Sequence, residues 1–174
     1  MLASWLGMQA VHESGHLLGA WLTGARVTAL VLHPLKISHT QVAENPHPLV
    51  VVWCGPLIGI AVPLGLWMIA AIARLQAAFL LRFFAGFCLA ANGAYVAFGS
   101  LDRVGDSGEM LRHGSPAWLL WLFGAMTVPL GLFLWHGQGT HFGLGRASGS
   151  VNPVVAYQAF AVSLALLAFG LLHG

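Results

Sequence analysis

Ionisable side chains are scarce in this chain. Only 7% of its 174 residues are charged, with five carboxylates (Glu13, Glu44, Asp102, Asp106 and Glu109) and a single lysine, Lys36. A water-soluble domain draws its solvated face largely from such residues, so their scarcity excludes an ordinary soluble fold. It also means that each ionisable group inside an apolar run needs its own explanation. Basic runs are missing too. The arginines stand singly and the net charge is +2, which leaves no footprint for nucleic acid and no polybasic lipid-binding tail. Cysteine is limited to Cys54 and Cys88, with no C-x-x-C spacing; a disulfide framework or thiolate metal site is excluded, and both read as small core residues. There is no internal repeat and no separate soluble domain.

What the chain has in abundance is apolar surface: 58% hydrophobic residues and a mean hydropathy of +0.81. Apolar stretches long enough to cross a bilayer fall at about 2–23, 49–73, 77–99, 116–135 and 153–172. The pattern predicts an all-α polytopic membrane protein, one membrane-embedded domain over residues 1–174 with about five transmembrane helices and the lipid bilayer as its surroundings. Between the first and second spans the residues turn polar and β-rich, with candidate strands Val27–Leu32 and Lys36–Val42. A small β-hairpin or sheet is expected there, within a β region of about 27–52. Residues 100–115 hold three of the five carboxylates and separate the third span from the fourth, and 137–150 form a glycine-rich turn before the last helix. Gly15 with Gly19, and Gly55 with Gly59, are small-x-x-x-small pairs that would let the first two spans approach closely. Pro56, Pro63 and Pro129 fall inside apolar runs, where they can kink or open a helix.

The first span carries His12-Glu13-Ser14-Gly15-His16. A helix turns 100° per residue, so His12 and His16 lie one turn apart on one face and can aim ring nitrogens at one ion. Zinc held by two imidazoles takes a third ligand, keeps a position for water and lowers that water's pKa toward about 7. Glu13, beside the first ligand, can take the proton, so H-E-x-x-H carries a mechanism. Its position well inside an apolar span sharpens the point, because a carboxylate there costs about 2.5 to 3.5 kcal/mol on insertion scales. The alternative is a set of polar residues that merely hydrogen-bond between helices.

For the third ligand the candidates are few. Asp106 is favoured, because Gly105, Ser107 and Gly108 would let a helix start close to the first span and aim a carboxylate at the ion. Asp106 with Glu109 three residues on also fits a capping box, in which Asp106 would only cap a helix. Asp102, open to pairing with Arg103, is the reserve ligand. No other histidine repeats the one-turn spacing on a helix, and His113, near Asp106, is the one to consider as a substitute.

With these motifs the chain resembles the site-2 protease family of intramembrane zinc metalloproteases, in a compact form without an appended recognition domain. His12-Glu13-Ser14-Gly15-His16 matches the family's first motif. Asp106-Ser107-Gly108-Glu109-Met110-Leu111 is similar to its Asp-Gly motif, with Ser107 in place of the usual first glycine. Cys54-Gly55-Pro56 is similar to the Gly-Pro that opens its next core helix. The resemblance implies one zinc ion per chain on His12, His16 and Asp106, Glu13 as general base, and a β segment that holds an extended substrate. It also implies a substrate-binding role for Asn92, although the family's Asn-x-x-Pro is here Asn92-Gly93-Ala94-Tyr95.

The expected function is hydrolysis of peptide bonds in or near transmembrane segments of membrane proteins. The expected place is a multi-pass position in a membrane, the cytoplasmic (inner) one if the chain is bacterial, with room for a regulatory membrane partner and no nucleic acid. Two alternatives use the same residues: a membrane metal-ion carrier or sensor, and an inactive relative that binds helices. Glu13 favours the hydrolase, since simple coordination does not need it.

Overall fold

A computed structural model describes residues 2–33, 37–143 and 153–173. Among them are six α-helices and one two-stranded antiparallel sheet: α1 Leu2–Thr23, β1 Arg26–Val31, β2 His39–Ala43, α2 Pro48–Ile72, α3 Ala78–Asp102, α4 Gly105–Arg112, α5 Ala117–Trp135 and α6 Pro153–His173. Each of the five apolar stretches is a helix. By length and composition, α2, α3 and α5 could cross a membrane. Helix α1 has the length, but its interior carries Gln9, His12, Glu13 and His16, and α6 is apolar over at least Pro153–Ala168.

Two expected boundaries move. The β region ends at Ala43 and not near residue 52, because α2 begins at Pro48. Proline suits the first helical position, where its missing N–H would have had no partner. The β-branched residues Val50 to Val52 then lie in the helix, as the apolar stretch from 49 expects. For the same reason Gly55-Pro56 does not open this helix but lies inside it. Both Pro56 and Pro63 are buried within α2, which runs on through them. Lys36, the expected start of the second strand, and residues 144–150 of the expected turn lie outside the described residues.

Helix α2 is the centre of the packing, with α1 on one side and α3 on the other; α5 packs on α3, and α6 rests on α1. The short helix α4 folds back against α3 and α2. Val52, Val96, Met110 and Leu120 form one buried cluster where α2, α3, α4 and α5 meet. Ala85, Leu89 and Leu134 form another farther along α3 and α5. Large apolar side chains also face outward, among them Ile72 at 80% exposure and Phe133 at 67%.

The hairpin pairs Val31 with His39 and Arg26 with Ala43, with a bulge between Val27 and Ala29. Its second strand is clamped to α1 at two points. The Ser38 N–H donates to Gln9 Oε1 at 2.6 Å, and the Thr40 hydroxyl donates to Glu13 Oε2 at 2.6 Å. Four residues of helix rise about 6.0 Å and two residues of strand about 6.6 Å, so the strand lies alongside α1 in matching register.

Candidate metal centre

His12 and His16 are both buried on α1, and hydrogen bonds to Nδ1 orient both rings. Asn92 of α3 donates through Nδ2 to the Cys88 carbonyl at 2.9 Å, which leaves its Oδ1 facing His12 Nδ1 at 2.6 Å. An amide oxygen only accepts, so His12 Nδ1 carries the proton. His16 Nδ1 faces the Val51 carbonyl of α2 at 2.9 Å and carries a proton for the same reason. In each neutral ring Nε2 is then a bare lone pair.

Those lone pairs face one another at 3.1 Å. Asp106 Oδ2 lies 2.8 Å from His12 Nε2 and 3.3 Å from His16 Nε2. Three acceptors converge on one point with no donor among them, an arrangement that repels itself unless a cation sits between them. A tetrahedral ion with bonds of about 2.0 to 2.1 Å needs ligand atoms about 3.3 Å apart, close to the spacing found. Among the described residues, His12, His16 and Asp106 are the one group of three such donors within 4.8 Å of one another. The donor set fits a metal ion.

Asp106 reaches the histidines through the turn that ends α3. Arg103 adopts a left-handed conformation at φ 55° and Gly105 another at φ 56°, so the chain reverses within three residues and α4 starts under α1. The N-cap of α4 is Val104, without a side-chain cap. Asp106 therefore sits in the first helical turn, its carboxylate is spent on the imidazoles, and the capping box is not formed. Asp102, the reserve ligand, is exposed at the end of α3 and takes no part in the group. His113 pairs with Glu109 at 3.5 Å and Glu44 with Arg26 at 3.1 Å.

Glycine makes the room. A Cβ on Gly55 would overlap the His16 ring and come within 2.9 Å of His12 Nε2. On the facing helix, a Cβ on Gly15 would strike the Cys54 carbonyl, and one on Gly19 would lie 2.9 Å from Cys54 Cβ. The small-residue pairs thus bring α1 and α2 together at the centre itself, while a Cβ at Gly59 would crowd Asn92 of α3 at 3.0 Å.

Comparisons of the chain with protein-family models, with curated proteins and with solved structures found no match. The chemistry of the centre is therefore read from its own geometry.

Glu13 is 5% exposed. With Oε2 occupied by Thr40, it keeps Oε1 for a further partner, and it lines a cavity of about 330 Å³ together with His12, His16, Asp106, Thr40 and Ile37. A second cavity of about 460 Å³, bordered by Val42, Asn45, Glu109 and His113, shares Thr40, His16 and Asp106 with the first. Strand β2 thus borders space on both sides of the centre. Asn92, expected to bind substrate, is buried and borders the first cavity; its Oδ1 orients His12 and one Nδ2 proton is held by the Cys88 carbonyl. Thr40 and Tyr95 were not singled out from sequence for this centre. Gly55 was visible as half of a small-residue pair, and Tyr95 left a trace by lying one helical turn after Asn92 on the same face.

Proposed function

We propose that this chain is an intramembrane zinc metalloprotease of the site-2 protease type, acting on peptide bonds in or near transmembrane segments of other membrane proteins. The observation that carries the reading is the convergence of two proton-fixed imidazoles and a carboxylate, all acceptors, beside a buried second carboxylate on the same helix. A carrier needs the first feature but not the second.

In this reading all five apolar helices cross the bilayer, in the cytoplasmic membrane if the chain is bacterial. Support comes from the three long apolar helices and from outward-facing side chains such as Ile72, Phe133 and Tyr157, which would form an apolar surface larger than a soluble monomer tolerates. Zinc is favoured because two nitrogens and one carboxylate oxygen leave a fourth, open position, the arrangement of catalytic zinc sites.

When bound, the metal supplies an acidified water and polarises the substrate carbonyl. The chain's residues do the rest. Glu13, held by Thr40, accepts a proton as the water oxygen bonds to the carbonyl carbon. The C–N bond then breaks and Glu13 returns that proton to the amine nitrogen, leaving a carboxylate and an amine. Asn92 and the Val51 carbonyl keep both imidazoles in the tautomer that presents Nε2. A helical substrate shelters its peptide bonds, so it must unwind first. Each strand of a two-stranded sheet keeps one unpaired edge, and pairing with the hairpin would replace the hydrogen bonds lost.

The test compares Glu13→Gln, Asp106→Asn and Asp102→Asn for bound zinc and for cleavage of single-span substrates in liposomes. Glu13→Gln should keep zinc and lose cleavage. Asp106→Asn should lose both, and Asp102→Asn should keep both. Cleavage that survives Glu13→Gln would refute the proposal, and zinc flux into the liposomes would replace it with a carrier.

A further inference from the structure

Attack on a peptide carbonyl places negative charge on its oxygen, and a hydrogen-bond donor fixed where that charge develops contributes about 10² to 10³ in rate. Asn92, with a substrate-binding role implied by the family resemblance, has its Oδ1 and one Nδ2 proton already engaged. Its Nδ2 donates to the Cys88 carbonyl and its Oδ1 accepts from His12.

One turn farther along α3 stands Tyr95. Its ring meets the His12 ring edge-on, with centroids 5.9 Å apart and planes at 78°. Its hydroxyl oxygen accepts the Asp106 backbone N–H at 3.2 Å, so it lies within one residue's reach of the metal-binding carboxylate. Gly105 fixes it there, since a Cβ at that position would collide with the hydroxyl. A phenol both accepts and donates. Here the oxygen is accepting, and the structure gives the O–H proton no acceptor among the described residues. Tyr95 also borders the cavity that contains Glu13, His12 and Asp106. It is therefore a donor in want of an acceptor, in the space where a substrate carbonyl must enter.

We infer that Tyr95 is a catalytic residue whose O–H donates a hydrogen bond to the oxyanion of the attacked carbonyl. No proton is transferred: the hydroxyl keeps its hydrogen while Glu13 carries out the proton transfers. The inference rests on the hydrolase reading above and adds a hydrogen-bond donor from the chain itself.

The experiment replaces zinc with cobalt in the full-length wild type and in Tyr95→Phe, then titrates each with acetohydroxamate, a chelator that presents an anionic oxygen at the ion. The visible cobalt spectrum reports both ligand geometry and binding. Tyr95→Phe should leave the spectrum before addition unchanged and raise the hydroxamate Kd about tenfold or more, the loss of one hydrogen bond to a charged group. With zinc restored, kcat for a single-span substrate should fall about 10²-fold to 10³-fold with little change in KM. An unchanged hydroxamate Kd overturns the inference. So does an altered starting spectrum, which would mean that the hydroxyl only supports the Asp106 backbone. Wild type that shows the tyrosine-dependent hydroxamate binding yet cleaves nothing would sink the hydrolase reading instead and leave the donor standing.

Discussion

Replacing Gly55 with alanine tests the centre without touching a ligand. The added methyl carbon would stand 2.9 Å from His12 Nε2 and overlap the Cε1 to Nε2 edge of His16, where carbon contacts normally settle at about 3.5 to 4.0 Å. One ring must then shift by about 1 Å, several times the roughly 0.2 Å that metal bond lengths tolerate. His16 cannot swing aside freely, because its Nδ1–H is bound to the Val51 carbonyl at 2.9 Å, one turn before Gly55 on the same helix. Helix α2 cannot withdraw freely either, since Gly15 and Gly19 are seated against Cys54. We expect zinc affinity to drop at least 100-fold, about 2.8 kcal/mol, measured by competition with a chromophoric chelator alongside metal stoichiometry. Gly65→Ala is the matched control: it lies on the same helix with nothing within 4 Å of its would-be Cβ. It gains the same helix propensity of about 0.5 to 1 kcal/mol and should bind zinc normally. Equal affinity in the two variants would refute the cradle.

Two further outcomes follow from the supporting contacts. Asn92→Ala removes the acceptor on His12 Nδ1 and should weaken zinc binding about 10-fold to 100-fold, whereas Asn92→Asp restores an acceptor and should recover most of it; equilibrium zinc titration of both variants decides. A proline at Gln41 in β2 should lower cleavage while zinc content stays near one per chain, because proline removes a backbone donor that strand pairing needs. Full turnover by a folded, zinc-loaded variant would exclude substrate pairing at this strand.

The opening helix was legible because its information is local. The period of 3.6 residues puts His12 and His16 on one face whatever the rest of the chain does. Glu13 comes with them, and apolar length alone outlines the five long helices. The hairpin was visible as a pattern but not in its extent: the expected β region of about 27–52 overlapped the second apolar stretch, and Pro48, in position to begin a helix, gives the overlap to α2.

Spacing along the chain could not choose between Asp106 and Asp102, nor between ligand and helix cap. That choice depends on a reversal between α3 and α4 built from two left-handed residues, which carries a carboxylate back to a histidine 94 positions earlier. Asn92 was visible as a candidate, but its duty was not, because a buried amide takes whatever partners packing brings. Gly55 drew notice as half of a motif, yet its need to be glycine exists only because two histidine rings from another helix occupy the space a methyl would fill. A helical period fixes relations across a few residues; contacts between distant segments are settled by how close the helices can pack, and no local pattern encodes that distance.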